Sequence, residues 1–380
     1  MNAETGGKRY LLITRNFPPL WGGMERLNWH LAEQLARFGE VRVIGPQGAV
    51  TQAPAGVIVR EAPLSPLPGF LFHAAQLARN EARTWRPDVV IAGSGLTAPL
   101  SWWAARACGA RTAAYVHGLD IVVPHPVYRA LWRPALRRME RIIANSAPTA
   151  RLALGIGIAP ARIGIVHPGV DLPMPDAAAR ARFRQRWGIA PETPVLLSVG
   201  RLTERKGLRE FVRDVLPIIA QAWPDVVLVI VGDAPTQALY AQAQSPQSIL
   251  ETAHAAGVAD HVRLLGPLFE RDLLTDSYFG ADVHVFPVRE LPDDPEGFGM
   301  VAIEAAAHGL PTVAYATGGV VDAVAEGVSG RLVPPGDAKA FAAAVLHTLD
   351  APPLANACCA FAQGFAWEVF GQRLARELST

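Results

Sequence analysis

The segment Gly200-Arg-Leu-Thr-Glu-Arg-Lys-Gly207 joins a predicted strand to a predicted helix and contains two cations that could bind a diphosphate. Lys206 is one of only three lysines among 35 basic residues, so general composition does not account for it. Arg201 could bind phosphate oxygens through its planar guanidinium group, and Lys206 as a point charge beside a helix N-terminus. The alternative is a solvated loop in which Glu204 pairs with Arg205.

A second segment, Glu296-Gly-Phe-Gly-Met-Val-Ala-Ile-Glu304, places two carboxylates on either side of seven residues. Gly297 and Gly299 allow a close approach of the backbone to a ligand, and a helix starting near Gly299 would direct free N–H groups toward it. Carboxylates accept hydrogen bonds from paired hydroxyls such as a ribose diol, so Glu296 and Glu304 could bind different parts of one ligand. The alternative makes Glu296 an anion that stabilises the helix and Glu304 a solvated residue. Because the neighbours of Glu304 are apolar, the sequence favours binding.

Two strand ends in the first half of the chain carry further candidates. Gly22 and Gly23 would open a helix and bring backbone amides against a phosphate or hydroxyl, or would form only a tight corner. His117 and Asp120 follow the predicted strand Thr112–Val116. A histidine at this place could act on a substrate, or it could be a core residue bonded to a backbone carbonyl.

Short apolar strands alternate with helices in two series, which predicts an α/β fold of two doubly wound, Rossmann-like domains, residues 1–170 and 171–360. Strands are predicted at Tyr10–Thr14, Val41–Ile44, Val57–Arg60, Asp88–Ala92, Thr112–Val116, Arg141–Ala144, Ile163–Val166, Val195–Val199, Val226–Val231, Val262–Leu265, Val283–Phe286, Thr312–Tyr315 and Arg331–Val333. Helices are predicted at Met24–Arg37, Gly69–Thr84, Ala98–Ala107, Ala147–Leu154, Asp176–Trp187, Gly207–Gln221, Gln247–Ala256, Gly299–His308 and Ala338–Leu349. Such sheets bind ligands at the carboxyl ends of their strands, where the candidate segments lie. No dinucleotide fingerprint follows a strand, and there is no P-loop sequence.

Composition excludes several classes of protein. Half of the residues are hydrophobic and 18% are charged, which argues against disorder. Three cysteines are too few for a disulfide framework and fit a reducing compartment. No secretion signal and no run of ~20 apolar residues is present, so we expect a cytoplasmic protein without a membrane span.

Charge is distributed unevenly along the chain. Residues 1–170 hold 19 Lys or Arg against 9 Asp or Glu, and the remainder holds 16 against 25. The basic half suggests an anionic partner, either a membrane surface or a phosphorylated acceptor, while the motifs give no support for nucleic acid. The arginine-rich segment 128–141 looks amphipathic, although Pro134 would interrupt a helix there. The alternative is an ordinary solvated basic helix.

The order and spacing of four motifs resemble the family-four retaining glycosyltransferases over nearly the whole chain. These motifs are F-P-P-x-x-G-G-x-E at 17–25, H-G-x-D at 117–120, V-G-R-L-x-x-x-K-G at 199–207 and E-G-F-G-M-V-A-I-E at 296–304. The resemblance implies the GT-B fold, in which two Rossmann-like domains face each other across a cleft, with residues 361–380 crossing back onto the first domain. It also implies sugar transfer from a nucleotide donor with no metal and no other cofactor.

The resemblance further assigns roles to individual residues. Arg201 and Lys206 would neutralise the donor diphosphate, Glu304 would hold the ribose hydroxyls, and Glu296 would lie beside the transferred sugar. His117 would contact that sugar near the reacting carbon. The other donor-binding positions that the resemblance implies are Gly22, Gly23, Phe298, Gly299, Met300 and Val301. Asp120 is the acceptor-side candidate.

The predicted function is retaining, metal-independent transfer of a hexose from GDP-mannose or a UDP-hexose to a hydroxyl of a glycan or lipid-linked acceptor. Similarity to phosphatidylinositol mannosyltransferases favours mannose, and the enzyme would lie in the cytoplasm, with peripheral association to the inner face of the membrane. A nonhydrolysing sugar-nucleotide epimerase and a non-catalytic nucleotide-sugar-binding module remain as alternatives. The Arg-Lys loop with the paired glutamates matches transferases better.

Overall fold

The computed structural model describes residues 7–234, 243–291 and 293–379 of the 380-residue chain. It divides into two compact units. The first contains Met1–Gly169 together with Trp367–Thr380, and the second contains Val170–Ala366.

The first unit is a twisted parallel sheet covered by helices. Its described strands lie in the order β3-β2-β1-β4-β5-β6-β7. The strands are β1 Lys8–Ile13, β2 Gly39–Pro46, β3 Val57–Ala62, β4 Val89–Ala92, β5 Arg111–Val116, β6 Arg141–Ala144 and β7 Ile163–Ile165. The helices are α1 Gly23–Leu35, α2 Leu67–Trp85, α3 Ala98–Ala105, α4 Leu119–Val122, α5 Pro126–Arg138 and α6 Ala147–Gly155. Because the central strands are buried on both faces, they are almost entirely apolar.

The second unit has the same architecture, with described strands in the order β10-β9-β8-β11-β12-β13. These strands are β8 Val195–Val199, β9 Val227–Val231, β10 Val262–Gly266, β11 Val283–Phe286, β12 Thr312–Tyr315 and β13 Gly330–Val333. The helices are α7 Ala179–Arg186, α8 Leu208–Asp214, α9 Leu216–Ala222, α10 Pro246–Ala255, α11 Arg271–Gly280, α12 Met300–Ala307, α13 Val320–Ala323, α14 Ala338–Asp350 and α15 Ala355–Gln363. The predicted α/β class with two Rossmann-like units is confirmed.

The C-terminal helix α16, Trp367–Glu377, packs on the first unit. The Trp367 ring stacks on His30 at 3.9 Å between centroids, and Arg141 Nε donates to Glu377 at 2.8 Å. The preceding residues 361–366, which were also predicted to return to the first domain, belong to the second unit. The reason is packing, since Phe361 and Phe365 join the apolar cluster around Phe298.

The helix predicted at Gly207–Gln221 is divided into α8 and α9. Val215 separates them, and Pro217 is the second residue of α9. Proline has no N–H to donate to the preceding turn, and its ring crowds that turn, so the helix restarts rather than continues.

Helix α5 continues through Pro134, which was expected to interrupt it. Side-chain contacts on both sides of the proline hold the helix in place. Trp132 Nε1 donates to the Leu96 carbonyl at 2.7 Å, and Leu136 is fully buried in the core beneath α5. Tertiary packing therefore overrides the local preference of proline.

None of the described helices combines the length and the apolar character needed to cross a bilayer.

Candidate active site

The loop after β8 brings Arg201 and Lys206 to the carboxyl edge of the second sheet. The chain leaves the strand through Gly200 at φ +140° and forms a short 3-10 turn, Glu204–Lys206. It then enters α8 through Gly207 at φ +67°, where a Cβ would collide with the carbonyl of Pro287. Glycine is therefore required at 207 both for the backbone angle and for the space.

Lys206 is buried against Glu296. Lys206 Nζ lies 2.8 Å from Glu296 Oε2 and 4.6 Å from the centre of the Phe286 ring. The two charged side chains are 14% and 10% exposed, respectively. Arg201, by contrast, is exposed, and it lines one small surface depression together with Lys206. The structure thus brings three of the predicted site residues to one place.

Arg205 is a further cation of this site. It turns away from Glu204, with which the sequence suggested a surface pair, and its Nη1 donates to Asp294 Oδ1 at 3.2 Å and to the Pro295 carbonyl at 3.0 Å. Its Nε lies 3.5 Å from Glu296 Oε2. Arg205 therefore contacts three consecutive residues of the loop that carries Glu296.

The charges around Glu296 determine its protonation. Burial by itself would raise the pKa of Glu296, but the charges of Arg205, Lys206 and Arg201 outweigh it and lower the pKa to about 2. Burial lowers the pKa of Lys206, and the Glu296 carboxylate partly offsets this effect. Burial raises the pKa of Asp294. Glu296 is consequently a carboxylate at any physiological pH.

Glu296→Gln is expected to destabilise the protein at pH 7, with a difference from wild type that shrinks in acid. The folded-state pKa of Glu296 is depressed from 4.5 to about 2, so its charge-linked stabilisation is full above 4.5 and is lost as pH falls from 4.5 toward 2. At pH 7 that contribution is about 3 kcal/mol. Thermal midpoints of both proteins measured from pH 7 to pH 3.5 test this expectation.

The comparison isolates Glu296 because other acid-sensitive groups are present in both proteins. His284 is one of these, since burial lowers its pKa to about 3 and its protonation in the unfolded chain destabilises the fold below about pH 6.5. A gap between the two midpoints that stays constant from pH 7 to pH 3.5 would contradict the assignment.

Helix α12 begins directly after the Glu296 loop. Gly299, at φ +92°, is its N-cap, and the N–H groups of Met300 and Val301 start the first turn. Both of these residues are half-buried. The Phe298 side chain is only 2% exposed and belongs to the core, so only its backbone can face a ligand.

Glu304 lies one turn inside α12 and is buried rather than solvated, with 8% exposure. Its Oε2 accepts a hydrogen bond of 2.8 Å from the Tyr278 hydroxyl on α11. His308 stacks on the Tyr278 ring at 4.8 Å and bonds the Glu304 carbonyl at 2.7 Å through Nδ1. The Glu304 carboxylate is therefore fixed in orientation before any ligand binds.

In the first unit, Gly22 and Gly23 lie between β1 and α1, where Gly23 is the first helical residue. A Cβ at Gly22 would run into the Glu25 carboxylate. Glu25 in turn accepts a hydrogen bond of 2.8 Å from the Asn16 side chain. The glycine pair thus allows a tight strand-to-helix connection in which the Glu25 carboxylate lies close to the backbone of Gly22.

His117 lies at the end of β5 and is 9% exposed. Its Nε2 lies 3.0 Å from the Gly93 carbonyl. A carbonyl only accepts, so Nε2 carries a proton, and in a neutral ring Nδ1 is then the acceptor. The ring therefore has the backbone bond typical of a core histidine, together with one nitrogen that can accept a hydrogen bond from a hydroxyl.

Asp120, the predicted acceptor-side candidate, accepts hydrogen bonds from two backbone N–H groups. Its Oδ1 accepts from the His117 N–H at 2.9 Å, and its Oδ2 accepts from the Gly95 N–H at 2.7 Å. The Tyr128 hydroxyl donates to its carbonyl at 2.6 Å. Both carboxylate oxygens thus tie the loop after β4 to the loop that carries His117.

Asp120→Asn is expected to lower the thermal midpoint, because an amide can accept only one of these two N–H groups and turns its own N–H toward the other. Such a buried mismatch costs about 1–3 kcal/mol. Asp225→Asn, at an exposed turn, is the matched control. Equal midpoints for the two variants would show that the Asp120 contacts contribute nothing.

Each unit therefore gathers its own set of predicted residues. The second unit brings together Arg201, Lys206 and Glu296, followed by the α12 segment that contains Glu304. The first unit places Gly22, Gly23 and His117 at the carboxyl edge of its sheet, where β1 and β5 flank β4. Among residues 7–234, 243–291 and 293–379, no group of histidine, cysteine and acidic side chains is arranged to hold a metal ion.

Sequence reasoning missed Arg205 and Tyr278 as parts of the site. Arg205 is 91 positions from Glu296, and Tyr278 is 26 positions from Glu304, so neither pair has a local spacing signal. His284 did leave a signal, because it interrupts the apolar run Val283–Phe286. It is fully buried, and its Nδ1 bonds Thr312 Oγ1 at 3.1 Å.

Two family models match the chain. One is described as Glycosyltransferase Family 4 and matches residues 21–173, and the other is described as Glycosyl transferases group 1 and matches residues 193–351. A D-inositol 3-phosphate glycosyltransferase of Mycolicibacterium smegmatis is 31% identical over 377 residues, which cover 91% of this chain and 83% of that protein.

Two solved structures resemble the whole chain. Anabaena HepE in complex with UDP-glucose aligns with a TM-score of 0.78 at 21% identity, covering 98% of this chain and 99% of that chain. Sucrose-phosphate synthase from Thermosynechococcus elongatus aligns with a TM-score of 0.80 at 23% identity, covering 97% and 98%. These alignments show the GT-B fold. Taken with the family models and the relative at 31% identity, they establish that the chain belongs to the family-4 glycosyltransferases, which transfer a sugar from a nucleotide-sugar donor.

Proposed function

We propose that this enzyme is a retaining, metal-independent hexosyltransferase that uses a UDP-hexose or GDP-mannose as donor and a hydroxyl of a glycan or lipid-linked acceptor. The observation that carries the proposal is the grouping of Arg201, Lys206 and Glu296 at one strand end, directly before the helix that contains Glu304. Cations for a diphosphate and carboxylates for hydroxyls are the chemistry that a nucleotide sugar requires.

The donor class has support from a structural neighbour. Anabaena HepE was solved with UDP-glucose, which makes a UDP-hexose a candidate here alongside GDP-mannose. In either case we assign the diphosphate to Arg201 and Lys206 and the ribose hydroxyls to Glu304. The transferred sugar is assigned to Glu296.

Transfer breaks the bond between the anomeric carbon and the phosphate oxygen, and the electron pair of that bond goes to the nucleoside diphosphate. Negative charge therefore grows on the phosphate while the sugar ring becomes cationic. Lys206 and Arg201 stabilise that growing charge electrostatically, and the effect is large because Lys206 is shielded from water. With the phosphate charge neutralised in this way, we assign no role to a metal ion.

Retention by double displacement would need a carboxylate nucleophile next to the anomeric carbon. The carboxylates described at the donor site have other partners, since Glu296 lies between Lys206 and Arg205, Asp294 pairs with Arg205, and Glu304 accepts from Tyr278. We therefore favour attack on the same face that the phosphate leaves. The acceptor oxygen bonds to the anomeric carbon, and its proton passes to the departing phosphate oxygen.

The acceptor is assigned from charge and from the relatives. The curated relative at 31% identity is named for D-inositol 3-phosphate, which supports a phosphorylated or polyol acceptor. Helix α5 exposes Val127 and Leu131 beside Arg129 and Arg137, which supports docking on an anionic membrane and hence a lipid-linked acceptor. Equal pelleting with anionic and neutral vesicles would refute the membrane part.

A thermal-shift panel with UDP, GDP, ADP, CMP and NAD tests the proposal. A ligand at 100 times its dissociation constant adds about 2.7 kcal/mol, which raises the midpoint by a few degrees. We expect a shift with UDP or GDP, and none with CMP or NAD. A shift with NAD alone, or with no diphosphate, would contradict the proposal.

Product analysis then separates the alternatives. A transferase releases nucleoside diphosphate while an acceptor gains the sugar. An epimerase would change the sugar on an intact nucleotide, and a binding module would leave the donor unchanged.

A further inference from the structure

Arg205 has an unsatisfied polar atom next to Glu296. Its side chain is 11% exposed, and its Nε is buried without a hydrogen-bond partner. The other end of the guanidinium group is engaged, because Nη1 bonds Asp294 and the Pro295 carbonyl. The free Nε–H lies 3.5 Å from Glu296 Oε2, slightly beyond a normal hydrogen bond.

The same oxygen of Glu296 is the one that Lys206 holds at 2.8 Å. Arg205 and Lys206 are neighbours on one 3-10 turn, so two cations address a single carboxylate oxygen. A diphosphate carries more negative charge than a carboxylate and competes for Lys206. When the diphosphate binds Lys206, Glu296 loses its closest counter-ion, although its side chain is only 10% exposed.

We propose, on the basis of the transferase function above, that Arg205 is a positioning residue for Glu296. As the donor diphosphate draws Lys206 away, Arg205 closes its Nε–H onto Glu296 Oε2 and holds that carboxylate charged against the transferred sugar. Lys206 is then the cation that exchanges partners, and Arg205 is the one that stays.

The anchoring of Arg205 supports this division of roles. Its backbone carbonyl accepts from the Arg289 N–H at 2.8 Å, and its Nη1 is fixed to the loop at 294–295. The Gly319 N–H also donates to the Glu296 carbonyl at 2.8 Å. Glu296 is thus held through its backbone as well as its side chain. A planar guanidinium can bond the loop and the carboxylate through different nitrogen atoms, whereas an ammonium has a single nitrogen.

The test measures kcat and KM for the donor from pH 5 to pH 9, with nucleoside diphosphate affinity measured in parallel. Arg205→Gln removes the positive charge, and Arg205→Lys keeps that charge but lacks the planar guanidinium group. Arg209→Gln is the matched control, because Arg209 lies on the same segment but is 38% exposed and pairs with Glu210 at 3.5 Å. The charged groups facing Glu296 are Lys206 and Arg205 from the turn, Arg201 from the end of β8 and Asp294 from its own loop.

We expect Arg205→Gln to bind the nucleoside diphosphate within about threefold of the Arg209→Gln control and to lose about tenfold or more in kcat at pH 7. Its kcat should also gain an acid limb within the measured range, because Glu296 without Arg205 protonates more readily. In Arg205→Lys, the acid limb of the kcat profile should stay outside the measured pH range, while kcat should remain lower than in wild type. This pattern distinguishes positioning from general loss of structure.

Three results would overturn the inference. Diphosphate binding that falls as far in Arg205→Gln as in Lys206→Ala would make Arg205 a diphosphate ligand. A lower kcat without any change in the pH profile would make its role purely structural. If Arg205→Gln does not fold, an Arg205→Lys enzyme that equals wild type in kcat overturns the proposal. A wild-type protein that turns over no nucleotide sugar is a separate result, which refutes the proposed function itself.

Discussion

Lys206→Ala is expected to lower kcat/KM for the nucleotide-sugar donor by about 10²–10³-fold, the usual effect of removing one preorganised charge from a leaving-group site. The effect is large because the Lys206 side chain is 14% exposed and its ammonium lies against Glu296 and the Phe286 ring, where water screens it poorly. Affinity for the nucleoside diphosphate should fall as well, and the thermal shift that it produces should disappear.

Lys339→Ala is the matched control for this prediction. Lys339 is one of the three lysines, is exposed, and lies on α14. Its replacement should leave donor turnover unchanged. Lys206→Ala should still fold, because Arg205 remains beside Glu296. Turnover by Lys206→Ala within threefold of the control would contradict the assignment of the diphosphate to this loop.

Glu304→Ala is expected to weaken nucleoside diphosphate binding by about 10–100-fold, the range for losing hydrogen bonds to a charged group. The reason is that Glu304 Oε2 is held by Tyr278 in one orientation, so the carboxylate is prepared to accept from the ribose hydroxyls. Isothermal calorimetry with the nucleoside diphosphate and its 2′,3′-dideoxy analogue measures this directly.

Wild type should prefer the natural nucleotide to the dideoxy analogue, and Glu304→Ala should bind both equally weakly. Tyr278→Phe should have an affinity for the natural nucleotide between those of wild type and Glu304→Ala, since it frees the orientation of the Glu304 carboxylate without removing that group. Glu251→Gln, an exposed glutamate on α10, is the control and should bind like wild type. A Glu304→Ala protein that still discriminates against the dideoxy analogue would exclude Glu304 as the ribose ligand.

The strands were the part of the fold most accessible from sequence. Parallel strands buried on both faces read as short, nearly uncharged runs, and Val195–Val199, Val283–Phe286 and Thr312–Tyr315 have the predicted bounds. Helices were harder to predict from sequence where tertiary contacts determine whether the helix continues. Helix α5 continues through Pro134 because Trp132 and Leu136 anchor it from both sides. Helix α11, which carries Tyr278, was not predicted at all.

The candidate site divides in the same way. Glycines and charges at strand ends identified Arg201, Lys206, Glu296 and Glu304, because a parallel sheet gathers such loops at one edge. The partners of these residues are encoded far away in the chain, as in the contact between Glu296 and Arg205 across 91 positions. Local sequence therefore indicates which loops form a site, whereas the counter-ions that set its charge emerge only from the folded chain.

The central claim is sugar transfer from a nucleotide sugar with retention of configuration, and ¹H NMR of the anomeric protons tests it most directly. The protein is incubated with UDP-glucose or GDP-mannose and with an inositol phosphate or lipid-linked acceptor, while ³¹P signals report free nucleoside diphosphate. We expect the donor signal to be replaced by an α-linked product signal, in step with nucleoside diphosphate release. A β-linked product would contradict retention, and a donor that stays intact or is epimerised would contradict transfer.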